Sequence, residues 1–114
     1  MKKNNKVFLK HILTSIKEIE DFIGSYSEEE FSKDLKTQNA VARKIEIIGG
    51  TVKNLSKDLR GKYSKVPWRE LSGIRDKLIH HYFGIDMSIV WEITQQDLPV
   101  LKREIENILK DLEK

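Results

Sequence analysis

The chain has 114 residues, 39% hydrophobic and 34% charged, and no cysteine, which allows one core rather than two and excludes disulfides and thiolate metal sites. Twenty-one Lys and Arg face 18 Asp and Glu, for a net charge of +3, too mild a balance to indicate a nucleic-acid surface by itself. No apolar run approaches the roughly 18 residues that a bilayer span needs, and Lys10, His11 and Lys17 interrupt the apolar start, so neither a membrane segment nor a signal peptide is expected. A single cytoplasmic domain over residues 1–114 is the expectation.

Apolar residues recur at helical spacing nearly throughout and nowhere alternate in twos. Phe8, Ile12, Ile16, Ile19 and Ile23 predict a first helix ended by Gly24, with His11 isolated and solvated on it. Ser27 followed by Glu30 has the pattern of a capping box, opening a short helix that contributes Phe31 and Leu35. Thr37 or Asn39 then starts the longest helix. Its stripe of Val41, Ile45, Ile48, Val52, Leu55 and Leu59 is spaced as in a packed bundle. Gly49 and Gly50 in the middle each cost about 1 kcal/mol relative to Ala, so either a crossing helix approaches there or the gap admits a ligand or partner chain.

Residues 61–66 read as a loop. Pro67 suits the first turn of a helix that reaches about Phe83 and stops at Gly84. Asp86 caps a short helix carrying Ile89, Val90, Trp91 and Ile93. Asp97 caps the last one, with Pro99 in its first turn and Leu98, Leu101, Ile105, Ile108 and Leu112 facing inward. The predicted fold is all-α, an up-and-down bundle of five or six helices.

The chemistry concentrates in Arg75-Asp76-Lys77-Leu78-Ile79-His80-His81-Tyr82. Arg carries a planar, permanently charged fork suited to phosphate, and His both takes and gives a proton near neutral pH. On an ideal helix Arg75 and Tyr82 lie on nearly one line, whereas His80 sits about 140° around from Arg75. A distorted last turn, the reach of Arg, or a second copy of the chain would bring the two to one phosphate. Gly73 shares the His80 face and would admit a partner helix. Asp76, one turn before His80, either accepts its ring N–H or is an ordinary exposed carboxylate. His80 and His81 diverge by about 100°, so one ion does not readily bind both and no metal is expected. His81 reads as a flanking polar residue, and Tyr82 as a phenol half buried beside Phe83.

A bare Arg-to-His spacing is weak evidence in a chain with five Arg and three His. Its context is stronger. With Pro67-Trp68-Arg69-Glu70 before it and Phe83-Gly84-Ile85-Asp86 after it, the stretch resembles the HEPN superfamily, and within it the HepT-like ribonuclease toxins, small helical proteins paired with a minimal nucleotidyltransferase antitoxin. Arg75, His80 and Tyr82 meet that family's pattern of Arg, four residues, His, one residue, Tyr. The resemblance implies a HEPN-like homodimer with a composite cleft that cleaves RNA, tRNA among the candidate substrates, without metal or cofactor. His80 would act as general acid or base and Arg75 would hold the phosphate. It further implies that the antitoxin adds AMP to Tyr82 and so silences the nuclease, as in a type VII-like toxin–antitoxin pair. Arg43 and Trp68 would help line the cleft, although core packing explains Trp68 equally well. Gly50 and Thr51 depart from the family's Gly-Glu-Ala, so no acid role is carried over there. Two other readings stand beside this one: a non-catalytic nucleotide- or substrate-binding companion of a nucleotidyltransferase, and a plain helical interaction protein.

Overall fold

Apolar stripes at intervals of three and four become helices because only there do they share one face. The computed structural model describes residues 4–74, 78 and 86–114. Its helices are α1 (Asn5–Ile23), α2 (Glu28–Ser32), α3 (Leu35–Val52), α4 (Lys57–Lys62), α5 (Trp68–Ser72), α6 (Met87–Glu92) and α7 (Leu98–Leu112). A π-helical turn, Ile93–Asp97, joins α6 to α7. The described residues contain no strand, and the fold is all-α.

α1 is the central rod. Leu9, Ile12, Ile16 and Ile19 on it are fully or almost fully buried, against Val41, Ile45 and Ile48 of α3 and Leu101, Ile105 and Ile108 of α7. Phe8, predicted to lead this stripe, is only partly buried, and Leu9 takes the inner position. Side-chain ties set the helix directions. Asn5 and Ser56 exchange two hydrogen bonds, Asn5 Nδ2 donating to Ser56 Oγ at 2.9 Å and the Ser56 N–H donating to Asn5 Oδ1 at 3.0 Å. Lys44 meets Glu18 at 2.8 Å. The start of α1 therefore lies beside the chain leaving α3, and the two helices run antiparallel. Lys102 to Glu20 at 3.0 Å and Lys6 to Glu113 at 3.9 Å set α7 antiparallel to α1 in the same way.

The second helix opens as predicted. Ser27 Oγ accepts from the Glu30 N–H at 3.1 Å, and Glu30 accepts from the Ser27 N–H at 2.9 Å. Leu35 does not belong to it. Asp34 accepts from the Thr37 N–H at 3.0 Å and so caps α3 ahead of the predicted start, leaving Leu35 in its first turn and 67% exposed. The predicted long helix also divides. α3 ends at Val52, and Ser56 opens α4 by accepting from the Leu59 N–H at 3.1 Å. Leu55 and Leu59 stay buried across the break, which is why their spacing concealed it. Gly61, read as loop, lies within α4.

Pro67 precedes α5 as expected, but the helix pauses early, at Gly73 (φ −94°, ψ 7°), with Ile74 helical again beyond it. Asp86 caps α6 by accepting from the Ser88 N–H at 3.0 Å. Asp97 caps nothing with its side chain, because the helix runs straight through it. Pro99 has no N–H to give to Gln95, and its ring crowds that carbonyl. The preceding turn widens, and the Leu98 N–H donates to Ile93 O five residues back. On α7, Leu112 is 39% exposed and Leu109 is buried instead.

Candidate active site

The predicted catalytic stretch is bracketed by described residues that the core anchors. Trp68 is 6% exposed, and its indole N–H donates to Tyr63 O at 3.0 Å, tying α5 to the end of α4. Trp68 is part of the hydrophobic core. A Cβ built on Gly49 would stand 3.0 Å from both Leu71 O and Ile74 Cγ2, so α5 lies with its backbone against α3, and close helix approach is the reason for glycine there. Among the described residues a Cβ on Gly50 would meet nothing within 4 Å, so no close approach there accounts for it. Ile74 and Leu78 are 5% and 1% exposed, and the Asp86 N–H donates to Leu78 O at 3.4 Å.

Arg75, Asp76, His80, His81 and Tyr82 all lie outside the described residues. Beside α5 is a groove of about 680 Å³ toward α7, with Pro67, Arg69, Gly73 and Ile74 on one wall and Val100 and Glu104 on the other. A Cβ on Gly73 would be 3.6 Å from Arg69 O, an ordinary contact, so packing within the chain does not demand glycine there. Arg43 is exposed on α3 and His11 is exposed on α1. Among the described residues, no group of three or more His, Asp or Glu is placed to hold a metal ion. No described helix is long and apolar enough to cross a membrane.

The perturbed ionisable groups sit at the two ends of the bundle. Tyr26 donates to Asp34 at 2.6 Å, and this bond, with the Thr37 N–H and hydroxyl, holds the Asp34 carboxyl down at about 2. The same hydrogen bond to a carboxylate raises the Tyr26 phenol above its ordinary value. At the other end, burial and then its bond to Asp111 at 3.1 Å raise the Tyr63 phenol.

The family whose description reads Ribonuclease HepT-like matches residues 12–108. The chain belongs to the HepT-like family. "Putative RNase MJ0127" of Methanocaldococcus jannaschii is 49% identical over 112 residues, 98% of this chain and 93% of that one. "Probable ribonuclease HepT" of Thermococcus cleftensis is 42% identical over 110 residues, covering 96% of this chain and 100% of its own. A third relative, "Gamma-glutamylcyclotransferase and putative RNase MJ0434" of M. jannaschii, is 44% identical over all 114 residues, which make up 51% of its length. No solved structure matches the chain significantly. Arg69, read in the sequence only as context for the motif, borders the groove beside α5.

Proposed function

We propose that this protein is a metal-independent endoribonuclease, the toxin of a toxin–antitoxin pair. The observation that carries the reading is the family match over residues 12–108, a span that contains Arg75, His80 and Tyr82, and the relatives' ribonuclease names support its nuclease part. In this reaction the ribose 2′-hydroxyl loses its proton and attacks the adjacent phosphorus. The bond to the 5′-oxygen breaks, and that oxygen leaves protonated, giving a 2′,3′-cyclic phosphate. His80 is the acid or base for one of those proton transfers. Arg75 binds the phosphate and neutralises the charge that builds on it, and Asp76 orients the His80 ring.

A homodimer supplies the second half of the cleft, which answers the angular separation that an ideal helix would give Arg75 and His80. The partner nucleotidyltransferase silences the enzyme by transferring AMP from ATP to the Tyr82 hydroxyl, with pyrophosphate leaving. The adduct puts bulk and a negative phosphate where RNA must bind. RNA cleavage by the purified chain in EDTA, beside His80→Ala, Arg75→Ala and Tyr82→Phe, tests this reading. The first two should lose activity with circular dichroism unchanged, and Tyr82→Phe should still cut but escape silencing by the nucleotidyltransferase with ATP. Parental rates in either of the first two, or loss of cleavage in EDTA, would overturn the mechanism.

A further inference from the structure

The net charge of +3 conceals a strong polarity. Residues 53–69 contain six Lys and Arg against the single acid Asp58, whereas residues 18–34 contain seven Asp and Glu against the single cation Lys33. The fold sends these two stretches to opposite ends of the bundle. The Asn5–Ser56 exchange and the Tyr63–Asp111 bond hold α4 beside the start of α1 and the end of α7. The Tyr26–Asp34 bond closes the other end, where α1 gives way to α2 and α3 begins.

The two sets of charges are used differently. Glu18 and Glu20 are paired with Lys44 and Lys102, Glu30 completes the capping box and Asp34 caps α3. None of Lys53, Lys57, Arg60, Lys62, Lys65 and Arg69 forms an ion pair with a described residue. All but Arg60 are exposed, and Arg60 is half-buried with its Nε lacking a hydrogen-bond partner among the described residues.

We infer that the α4 end of the bundle is a docking surface for the RNA backbone, beyond the scissile phosphate, formed by these six cations. The inference rests on the nuclease reading for its ligand. α4 is only about 9 Å long, about one Debye length at physiological salt, so the charges of Lys57, Arg60 and Lys62 on it act together. Most apolar residues of the stretch are withdrawn: Leu55, Leu59, Val66 and Trp68 are buried, Tyr63 is half-buried under Lys62 with its hydroxyl committed to Asp111, and Pro67 is exposed at the edge toward the α5 groove. A protein partner would need aromatic or aliphatic anchors, and α4 itself exposes none. A flexible polyanion needs only spaced cations, and contacts of this kind position RNA without reading its sequence. The chain order aims the surface, because its last cation, Arg69, borders the groove beside α5, six residues before Arg75. The acidic pole repels the same polyanion and so orients the encounter.

The test is binding of fluorescently labelled bulk tRNA, titrated across salt concentrations in a His80→Ala background that leaves the RNA intact. Replacing Lys53, Lys57 and Lys65 with Gln should weaken binding by about tenfold or more at low salt. It should also flatten the dependence of log K on log salt by roughly two, as lost phosphate contacts require. Replacing Lys17, Lys33 and Lys36 with Gln removes the same charge from the acidic half and should change neither quantity appreciably. Unchanged affinity in the first triple variant, or equal loss in both, overturns the inference. Cleavage is scored separately with the parental chain. RNA held at the α4 end but never cut would refute the nuclease reading alone, whereas cutting with undiminished binding in the first triple variant would refute the docking surface alone.

Discussion

The two ends of the bundle carry opposite charge and spend it differently. At the α2 end, carboxylates are part of the folding machinery: Asp34 alone receives hydrogen bonds from Tyr26, the Thr37 hydroxyl and the Thr37 N–H. At the α4 end the fold is held mainly by neutral groups, the Asn5–Ser56 exchange and the seam where Gly49 meets Leu71 and Ile74, with Asp111 accepting from Tyr63. The six cations from Lys53 to Arg69 form no ion pair with a described residue. The contrast shows how a chain of nearly balanced composition presents a charged surface: the carboxylates of the α2 end are drawn into caps and into pairs with Lys44 and Lys102, whereas the cations from Lys53 to Arg69 have no such partner among the described residues.

If the α4 end is held by backbone packing, Gly49→Leu should be the most damaging single change. Its side chain would have to displace the Leu71 carbonyl, and overpacking of this kind costs about 1–3 kcal/mol. Thermal unfolding should register it as a clear drop in Tm; a parental Tm would mean that the seam is not tight. A smaller effect is expected at the α2 end. The Asp34 carboxyl is held at about 2, below the ordinary 3.8. A depressed acid stabilises the fold fully above its unfolded value, and that contribution disappears as pH falls from about 4 through 2. Asp34→Asn should therefore lower Tm at neutral pH, with the gap to the parent closing toward pH 2. A gap independent of pH would show that the carboxylate charge plays no part. The mildest change sharpens the contrast from within α3. Gly50 has open space around its Cβ position, so Gly50→Ala should raise stability by about 0.5–1 kcal/mol, measurable by urea denaturation. A loss there would mean that the site is not as open as its surroundings indicate.

What the sequence revealed followed how locally each feature is encoded. The capping box at Ser27 and Glu30, the cap at Asp86 and the stripes of α1 and α7 are decided by residues within a turn or two, and they were legible. The break between α3 and α4 was not, because Leu55 and Leu59 keep helical spacing through it and the stop signal is only Ser56, whose capping role needs Leu59 in place. Asp97-Leu98-Pro99 has the composition of a helix start, and only packing shows the chain continuing as a widened turn. The site was read from motif and family resemblance. Arg75, His80 and Tyr82 fall outside the described residues, so packing has no bearing on that reading. The charge polarity escaped notice because net charge sums over the whole chain, while the fold sorts the charges by end.

The widened turn at Ile93–Asp97 has a mechanical consequence. By absorbing Pro99 without ending the helix, it makes α6 and α7 a single strut that touches two walls: Val90 and Trp91 sit toward α2 and α3, and Leu101 and Ile105 are seated along α1. The near end of that strut is Asp86, whose N–H reaches Leu78. The far boundary of the motif-bearing stretch is thereby braced by the longest rods in the molecule, like a beam clamped well behind its tip, rather than by the few contacts a six-residue helix makes by itself.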